Sequence, residues 1–489
     1  MNPRAALLLS LPCLVLLTPA CGGDDKSDAN DEIGNDSSSE SAATSNDGVD
    51  ESASSSADTS ASTTSTTADT TTADTTADTT ADTSSSTSAD TTTTGADTTT
   101  GADTTTGGDT TTGGDPCEGM GGGNNFEFSY LWVANSPQGT VSKIDTQAAI
   151  EVARYNSGPA GATDPSRTSV SSDGKFAVVA NRNGGLTMIA AEEADCIDNN
   201  NNGMIETSQG PNNVLPWGQD ECVIWNISLP ATSNQGPRPV SWTIGEQDPI
   251  TCQYAAGDVW IGWYNQAQNT GYFRLVEGMT GNTLDEIQVP GWSGQNWGPY
   301  GGAIDSENNF WAIGWGQTGP VVKIDVDTHV ATHFGSAGGW IYGMGLDLQG
   351  NTWAGGCGNG NVYRFHKQNE TWSQVANVAG VSCLRGLQVD FDGVAWIAKN
   401  GPCGLAAIDT SVEPPQPIDL NIPIAGCSTP VGVSIDAEGF VWVVDQGASR
   451  AFKIDPDTYQ VVAQVTGLVS PYTYSDMTGA GIAGQVNPQ

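Results

Sequence analysis

The chain has 489 residues, 56 acidic and 16 basic side chains, 61 glycines, 10 cysteines and 15 tryptophans. A net charge of −40 repels phosphate backbones and excludes nucleic acid as a partner. Three histidines (His329, His333 and His366) are too few for most multi-histidine metal enzymes.

The first twenty residues read as an export signal. Arg4 gives a short basic start, and Ala5 to Leu17 form a thirteen-residue apolar run broken only by Ser10 and Pro12. That run is too short to span a bilayer and suits a secretory h-region. It ends in Leu17-Thr18-Pro19-Ala20-Cys21, which resembles the lipobox of bacterial lipoproteins. The resemblance implies lipidation of Cys21 after cleavage at Ala20, hence a lipid-anchored protein of the bacterial cell envelope, at the outer membrane or cell surface. Plain secretion is the alternative.

Residues 21–125 read as a disordered tether. Between residues 22 and 115 the chain carries 20 acidic residues, one lysine and no aromatic side chain. Near-repeats such as Thr-Ala-Asp-Thr-Thr offer nothing to bury, and spaced aspartates keep the strand extended by self-repulsion. Its span is on the order of 55 Å.

From residue 126 to about 485 a period emerges. Strands end in an aromatic flanked by apolar residues at Trp132, Phe176, Trp260, Trp311, Trp353, Trp396 and Trp442. The spacings between them are 44, 84, 51, 42, 43 and 46 residues. Units of this length, opened by Asp/Gly turns and carrying several strands each, predict an all-β, seven-bladed β-propeller. The one double gap holds an insertion at about 190–236. The first unit lacks a leading strand, which Tyr472 to Ile482 is expected to supply, closing the ring and removing its exposed edges.

The pattern Ile435-Asp-Ala-Glu-Gly-Phe-Val-Trp-Val-Val-Asp445, followed by Phe452-Lys-Ile-Asp455, resembles streptogramin (virginiamycin B) lyases and NHL-type propellers. That resemblance implies a propeller whose lyase relatives use a histidine entering an inner strand, a glutamate after the Trp strand, and magnesium. Here the matching loops carry Arg167, Pro239, Tyr300, Tyr342, Arg385, Pro430 and Tyr472, and the second set carries Lys399, Asp445 and no glutamate. The general acid–base pair is therefore missing from those loops.

What is expected to converge there instead is aromatic and cationic, Arg167, Trp263, Trp297, Tyr300, Trp315, Trp340, Tyr342, Arg385 and Lys399, with Asp445 as a counter-charge. Such rings suit a protein, glycan or small-molecule ligand, and the cations an anionic group. The same residues could equally plug the central channel.

The insertion contains Asp198-Asn-Asn200-Asn-Asn202-Gly-Met204-Ile-Glu206, which resembles the start of an EF-hand loop. Asp198, Asn200, Asn202, the Met204 carbonyl and Glu206 are candidate ligands of a structural Ca²⁺, with Asp220 or Glu221 replacing the missing twelfth-position glutamate. A metal-free Asn/Gly turn is the alternative. Eight cysteines outside the signal and the lipid site favour disulfides in an exported protein. They allow 105 connectivities; local pairs Cys196–Cys222, Cys357–Cys383 and Cys403–Cys427 would leave Cys117 with Cys252. Function divides into two classes: a non-catalytic binding or scaffolding propeller, or a metal-dependent enzyme of the lyase or lactonase kind.

Overall fold

The computed structural model describes residues 117, 129–232, 235–292 and 296–486. The expected signal and Cys21 lie outside the described residues, as does nearly all of the expected tether. Within the described residues, 27 strands form seven antiparallel sheets, six of four strands and one of three. In the six four-stranded sheets neighbours in sequence are neighbours in space, which is the blade plan of a seven-bladed β-propeller. Among these described residues, no helix is long and apolar enough to cross a membrane.

The first blade is β1 (Tyr130–Asn135), β2 (Thr140–Asp145) and β3 (Ile150–Asn156). Blade two is β4 (Pro165–Val170), β5 (Phe176–Asn181), β6 (Gly185–Ala190) and β7 (Val223–Ser228). Its outer strand β7 lies within the stretch expected as an insertion, so the extra loop sits between β6 and β7. Blade three is β8 (Val240–Gln247), β9 (Tyr254–Asn265), β10 (Thr270–Val276) and β11 (Thr283–Pro290). Blades four to seven begin at β12 (Pro299–Ile304), β16 (Ile341–Leu346), β20 (Cys383–Val389) and β24 (Pro430–Ile435), their second strands carrying Trp311, Trp353, Trp396 and Trp442.

A repeated hydrogen-bond set explains the Asp/Gly turns. In these four blades an aspartate six residues before the tryptophan accepts its indole N–H. The pairs are Asp305–Trp311 (2.8 Å), Asp347–Trp353 (2.8 Å), Asp390–Trp396 (2.7 Å) and Asp436–Trp442 (2.9 Å). The other carboxylate oxygen caps the turn, as when Asp347 accepts the amides of Gln349 (3.1 Å) and Asn351 (2.8 Å). Each carboxylate thus fixes a hairpin and orients a buried ring at once. The rings then fill the spaces between blades, where Trp311, Tyr363 and Phe365 share one cluster across blades four and five.

Ring closure departs from the expected strand. Residues 472–478 occupy the inner position of blade one without forming a regular ladder. The Tyr472 amide donates to the Ala134 carbonyl (2.9 Å) and the Trp132 amide to the Met477 carbonyl (2.9 Å). Between them, the Ala134 amide bonds the Thr473 hydroxyl (2.7 Å) instead of a carbonyl, which breaks strand geometry. The segment is held on both sides: Ser475 Oγ accepts from the Thr168 amide of β4 (2.9 Å), and the Thr478 and Ser434 hydroxyls meet at 2.8 Å. After Gly479 the chain turns into α1 (Ala480–Val486), a helix where the sequence suggested strand.

Four disulfides pair Cys117–Cys252, Cys196–Cys222, Cys357–Cys383 and Cys403–Cys427. Disulfides on this scale are compatible with an extracytoplasmic protein. Cys117, inside the span expected as tether, is tied to the β8–β9 connection of blade three.

Two outcomes follow from this packing. Asp347→Ala strands the buried Trp353 N–H and two turn amides, so urea unfolding should show a loss of about 3 kcal/mol. Gly432→Ala would drive a Cβ into the Thr473 carbonyl, so amide exchange should accelerate across 472–486 while blades four and five stay protected.

Candidate functional site

The inner strands place the candidate residues through a shared irregularity. Pairing of the first and second strands slips at Pro165/Arg167, Pro299/Gly301, Ile341/Met344, Leu384/Leu387 and Pro430/Gly432. Each slip is a bulge at the strand's start, and a bulge re-aims the extra side chain out of the ladder. Tyr300, Tyr342 and Arg385 lie inside these bulges and Arg167 at the edge of one, so they converge on one mouth of the channel. Glycines just behind them allow adjacent blades to touch: a Cβ on Gly386 would lie 2.6 Å from the Val431 carbonyl and 2.7 Å from Tyr474 Cβ.

The result is a packed aromatic–guanidinium stack. Arg167 sits 3.4 Å from the Tyr474 ring centroid and 4.9 Å from that of Tyr300. Arg385 lies 5.2 Å from Tyr342, and Arg238 lies 5.3 Å from Trp297. The Tyr300 and Tyr472 hydroxyls meet at 3.2 Å, and Tyr342 joins the same hydroxyl. Trp315 links the stack outward, edge-on to Trp297 (6.2 Å) and to Trp340 (4.9 Å). Arg167, Arg238 and Arg385 are at most 2 % exposed, whereas Trp340 at the rim is 41 % exposed.

Seven of the ten residues expected on this face therefore come together: Arg167, Trp297, Tyr300, Trp315, Trp340, Tyr342 and Arg385. Three stand apart. Trp263 stacks on Tyr272 (5.6 Å) within the core between blades two and three. Lys399 donates to the Leu420 carbonyl (3.2 Å) and Asn421 Oδ1 (3.1 Å), and burial pulls its ammonium below the usual lysine range. Asp445 accepts the amides of Ser428, Thr429 and Ala448, a turn-capping role. Sequence reasoning missed Arg238 and Tyr474. Arg238 lies one residue before the position aligned at Pro239, and Tyr474 belongs to a segment read as plain strand.

At the opposite mouth α1 packs on β8, β12 and β20. Gln485 Nε2 donates to the Asp347 carbonyl (2.8 Å), at the far end of β16. Between α1 and the inner strands lies a small cavity lined by Ser241, Met344, Leu387, Gln388 and Asp476. The Asp476 carboxylate accepts the amides of Gly479 (2.9 Å) and Gly481 (3.3 Å), starting the turn into α1. Burial pushes this carboxyl up to about 6, against the pull of those amides.

The histidines lie elsewhere. His329 Nδ1 bonds Asp285 (2.6 Å), His333 packs edge-on to Trp292 (6.0 Å), and His366 bonds Ser373 (2.9 Å). All three are on third or fourth strands or the turns beside them, remote in each blade from the inner strands.

In the insertion, the Cys196–Cys222 bond brings the chain after Trp217 back onto the Asn-rich loop. Glu221, 4 % exposed, accepts the amides of Asn199 (2.8 Å) and Glu206 (3.0 Å). Asp198 accepts the Gly203 amide (2.8 Å), and Glu206 takes the side-chain amides of Asn200 (2.8 Å) and Asn202 (2.7 Å). These amides hold the Glu206 carboxyl below its ordinary range. Asp220 is directed instead at Thr207 (3.0 Å) and Ser208 (2.6 Å), so Glu221 is the acid that faces the loop. Among the described residues no group of three or more His, Cys, Asp or Glu side chains is gathered as metal ligands.

Comparison with known proteins gives distant structural likenesses alone. No family model matches the chain, and no curated protein matches it. Solved structures similar to it include virginiamycin B lyase from Staphylococcus aureus, at 14% identity over 63% of this chain and 87% of that one, with a TM-score of 0.43. Apo AztD from Citrobacter koseri is similar at 13% identity over 71% and 96%, TM-score 0.42. The RRP9 WD40 repeats are similar at 11% over 65% and 84%, TM-score 0.44.

The Asp476 carboxyl supplies a pH test. Its native value lies above the unfolded one, so its contribution to stability is full below about pH 4 and is lost as pH rises through 6. Asp476→Asn should flatten that part of the stability–pH curve, read by thermal unfolding between pH 4 and 8.

Proposed function

We propose that this chain is a non-catalytic binding module, a propeller displayed from the bacterial cell envelope by a lipid on Cys21 and an extended acidic tether. One observation carries the reading: rings and guanidiniums from five blades and the C-terminal segment converge on a single mouth. Fixed rings supply contact area at low entropy cost, and the rim tryptophan is where a ligand would first touch. The three imidazoles, the side chains best suited to proton transfer near neutral pH, are committed elsewhere. Thermal unfolding of the whole oxidised chain against a panel of peptides, glycans and small acids tests it. A ligand that binds the native state raises the midpoint, and Trp340→Ala should remove that shift. Turnover of any bound compound would overturn the non-catalytic part. For the anchor, Cys21→Ala should abolish incorporation of a labelled fatty acid in cells and release the protein from membranes.

The loop at 198–206 is proposed as a structural Ca²⁺ site in which Asp198, Asn200, Asn202, the Met204 carbonyl and Glu206 are joined by Glu221. What supports it is the oxygen-rich spacing together with the disulfide that returns a second glutamate. Binding would require the Asn200 and Asn202 side chains to exchange their bonds to Glu206 for the ion. Calcium should raise the unfolding midpoint of the oxidised chain, and Asp198→Ala should cancel the rise; Glu221→Gln should cancel it too and, by weakening the amide contacts of a buried carboxylate, lower the midpoint in EDTA.

A further inference from the structure

The mouth stack contains polar atoms that the fold does not use. Among the described residues, Trp297 Nε1, Trp315 Nε1 and the Tyr474 hydroxyl are buried without a hydrogen-bond partner. Trp297 and Tyr474 are only 9 % and 3 % exposed. A buried donor left unsatisfied costs free energy, and native structures retain few of them. These three lie in one continuous stack. Trp297 touches Trp315 edge-on at 6.2 Å, Trp315 lies 6.3 Å from Tyr300, and Tyr300 lies 5.8 Å from Tyr474.

Their chemistry leans to donation, the Tyr474 hydroxyl alone being able to accept as well. An indole N–H can only donate, and so can the guanidiniums of Arg167, Arg238 and Arg385 stacked on the same rings. Asp164, paired with Arg182 at 2.5 Å, and Asp445, which caps a turn with three backbone amides, are already engaged. A neutral sugar presents hydroxyls that need acceptors as well as donors. A carboxylate presents acceptors alone, and it gains most from cationic donors in a poorly hydrated site. Trp315 lies edge-on to the exposed Trp340 at 4.9 Å, so rings connect the rim to the buried groups, which suits a flat body behind the charged group.

We infer that this mouth binds a small organic anion, a carboxylate carried on a flat ring system, with the Trp297 and Trp315 N–H groups and the Tyr474 hydroxyl bonding its oxygens. The assignment rests on the binding reading above and adds the ligand class to it. Three buried groups without a partner among the described residues carry it. The surrounding propeller is strongly acidic, with 36 acidic against 14 basic residues over 116–489. Anions are therefore repelled at long range and admitted only where the donors are concentrated, so affinity should rise with salt until the local attraction is itself screened.

The test uses the whole oxidised chain and three probes in calorimetric titration: 2-naphthoate, its neutral counterpart 2-naphthylmethanol, and N-acetylglucosamine. The naphthoate should bind about tenfold or more tightly than the alcohol, the margin of one charge-assisted bond. Trp315→Phe and Tyr474→Phe, each deleting one donor and keeping its ring, should weaken the naphthoate by about tenfold and leave the alcohol unchanged. Trp340→Ala, at an exposed position that folding tolerates, should weaken both. Equal affinity for naphthoate and alcohol, both lost in Trp340→Ala, would overturn the anion class and leave the mouth as a binding surface. Binding of N-acetylglucosamine alone, lost in Trp340→Ala, would do the same. Absence of binding by all three probes would overturn this inference, and a continued lack of any Trp340-dependent midpoint shift would remove the binding reading as well.

Discussion

Everything in this molecule depends on closing the ring through backbone contacts at the inner strands. Blade one has only three strands of its own, so β1 would present an open edge unless the C-terminal segment covers it, and open edges invite pairing with other chains. Here the meeting is made by residues 472–478, which bond β1 on one side, β4 on a second and β24 on a third. The contact is close enough that Gly432 has no room for a side chain against Thr473. Such closeness makes the C-terminus a structural keystone, and it explains why the chain continues past the last blade into α1.

The same crowding creates the candidate site. Inner strands that start with a bulge turn side chains toward the axis, and five such strands, with Arg238 and the C-terminal segment, bring the mouth residues into contact. Tyrosines and arginines solve the packing together, because a guanidinium lies flat on a ring and needs little room. The cost is a set of buried polar atoms that the stack itself leaves unsatisfied. At the far end α1 packs on the inner strands β8, β12 and β20.

The blade edges and the insertion follow separate rules. The Asp–Trp pairs at a spacing of six make each hairpin and its buried ring a single unit, which is why the repeat is so visible in blades four to seven. Blade three lacks that pair; its Trp242 donates to the Ser169 carbonyl of the preceding blade instead (3.1 Å). The β6–β7 insertion has no core of its own and relies on the Cys196–Cys222 bond and the amides gathered by Asp220 and Glu221.

The all-β class, the blade count and the turn positions were legible in the sequence because they depend on local chemistry. An aspartate, a tight turn and a tryptophan six residues on specify one hairpin with no help from distant residues. The local disulfide pairs were readable for the same reason, since neighbours in a loop stay neighbours in the fold. Much of the mouth was readable too, because repeat alignment put Arg167, Tyr300, Tyr342 and Arg385 at equivalent positions. Arg238, Tyr474, the helix at 480–486 and the choice of Glu221 over Asp220 were not. Each depends on where a bulge, a hydroxyl in place of a carbonyl, or a disulfide turns the chain by one residue. Sequence periodicity determines which residues share a blade; only the closed ring decides which of them face one another, because that is set by the approach of strands separated by hundreds of residues.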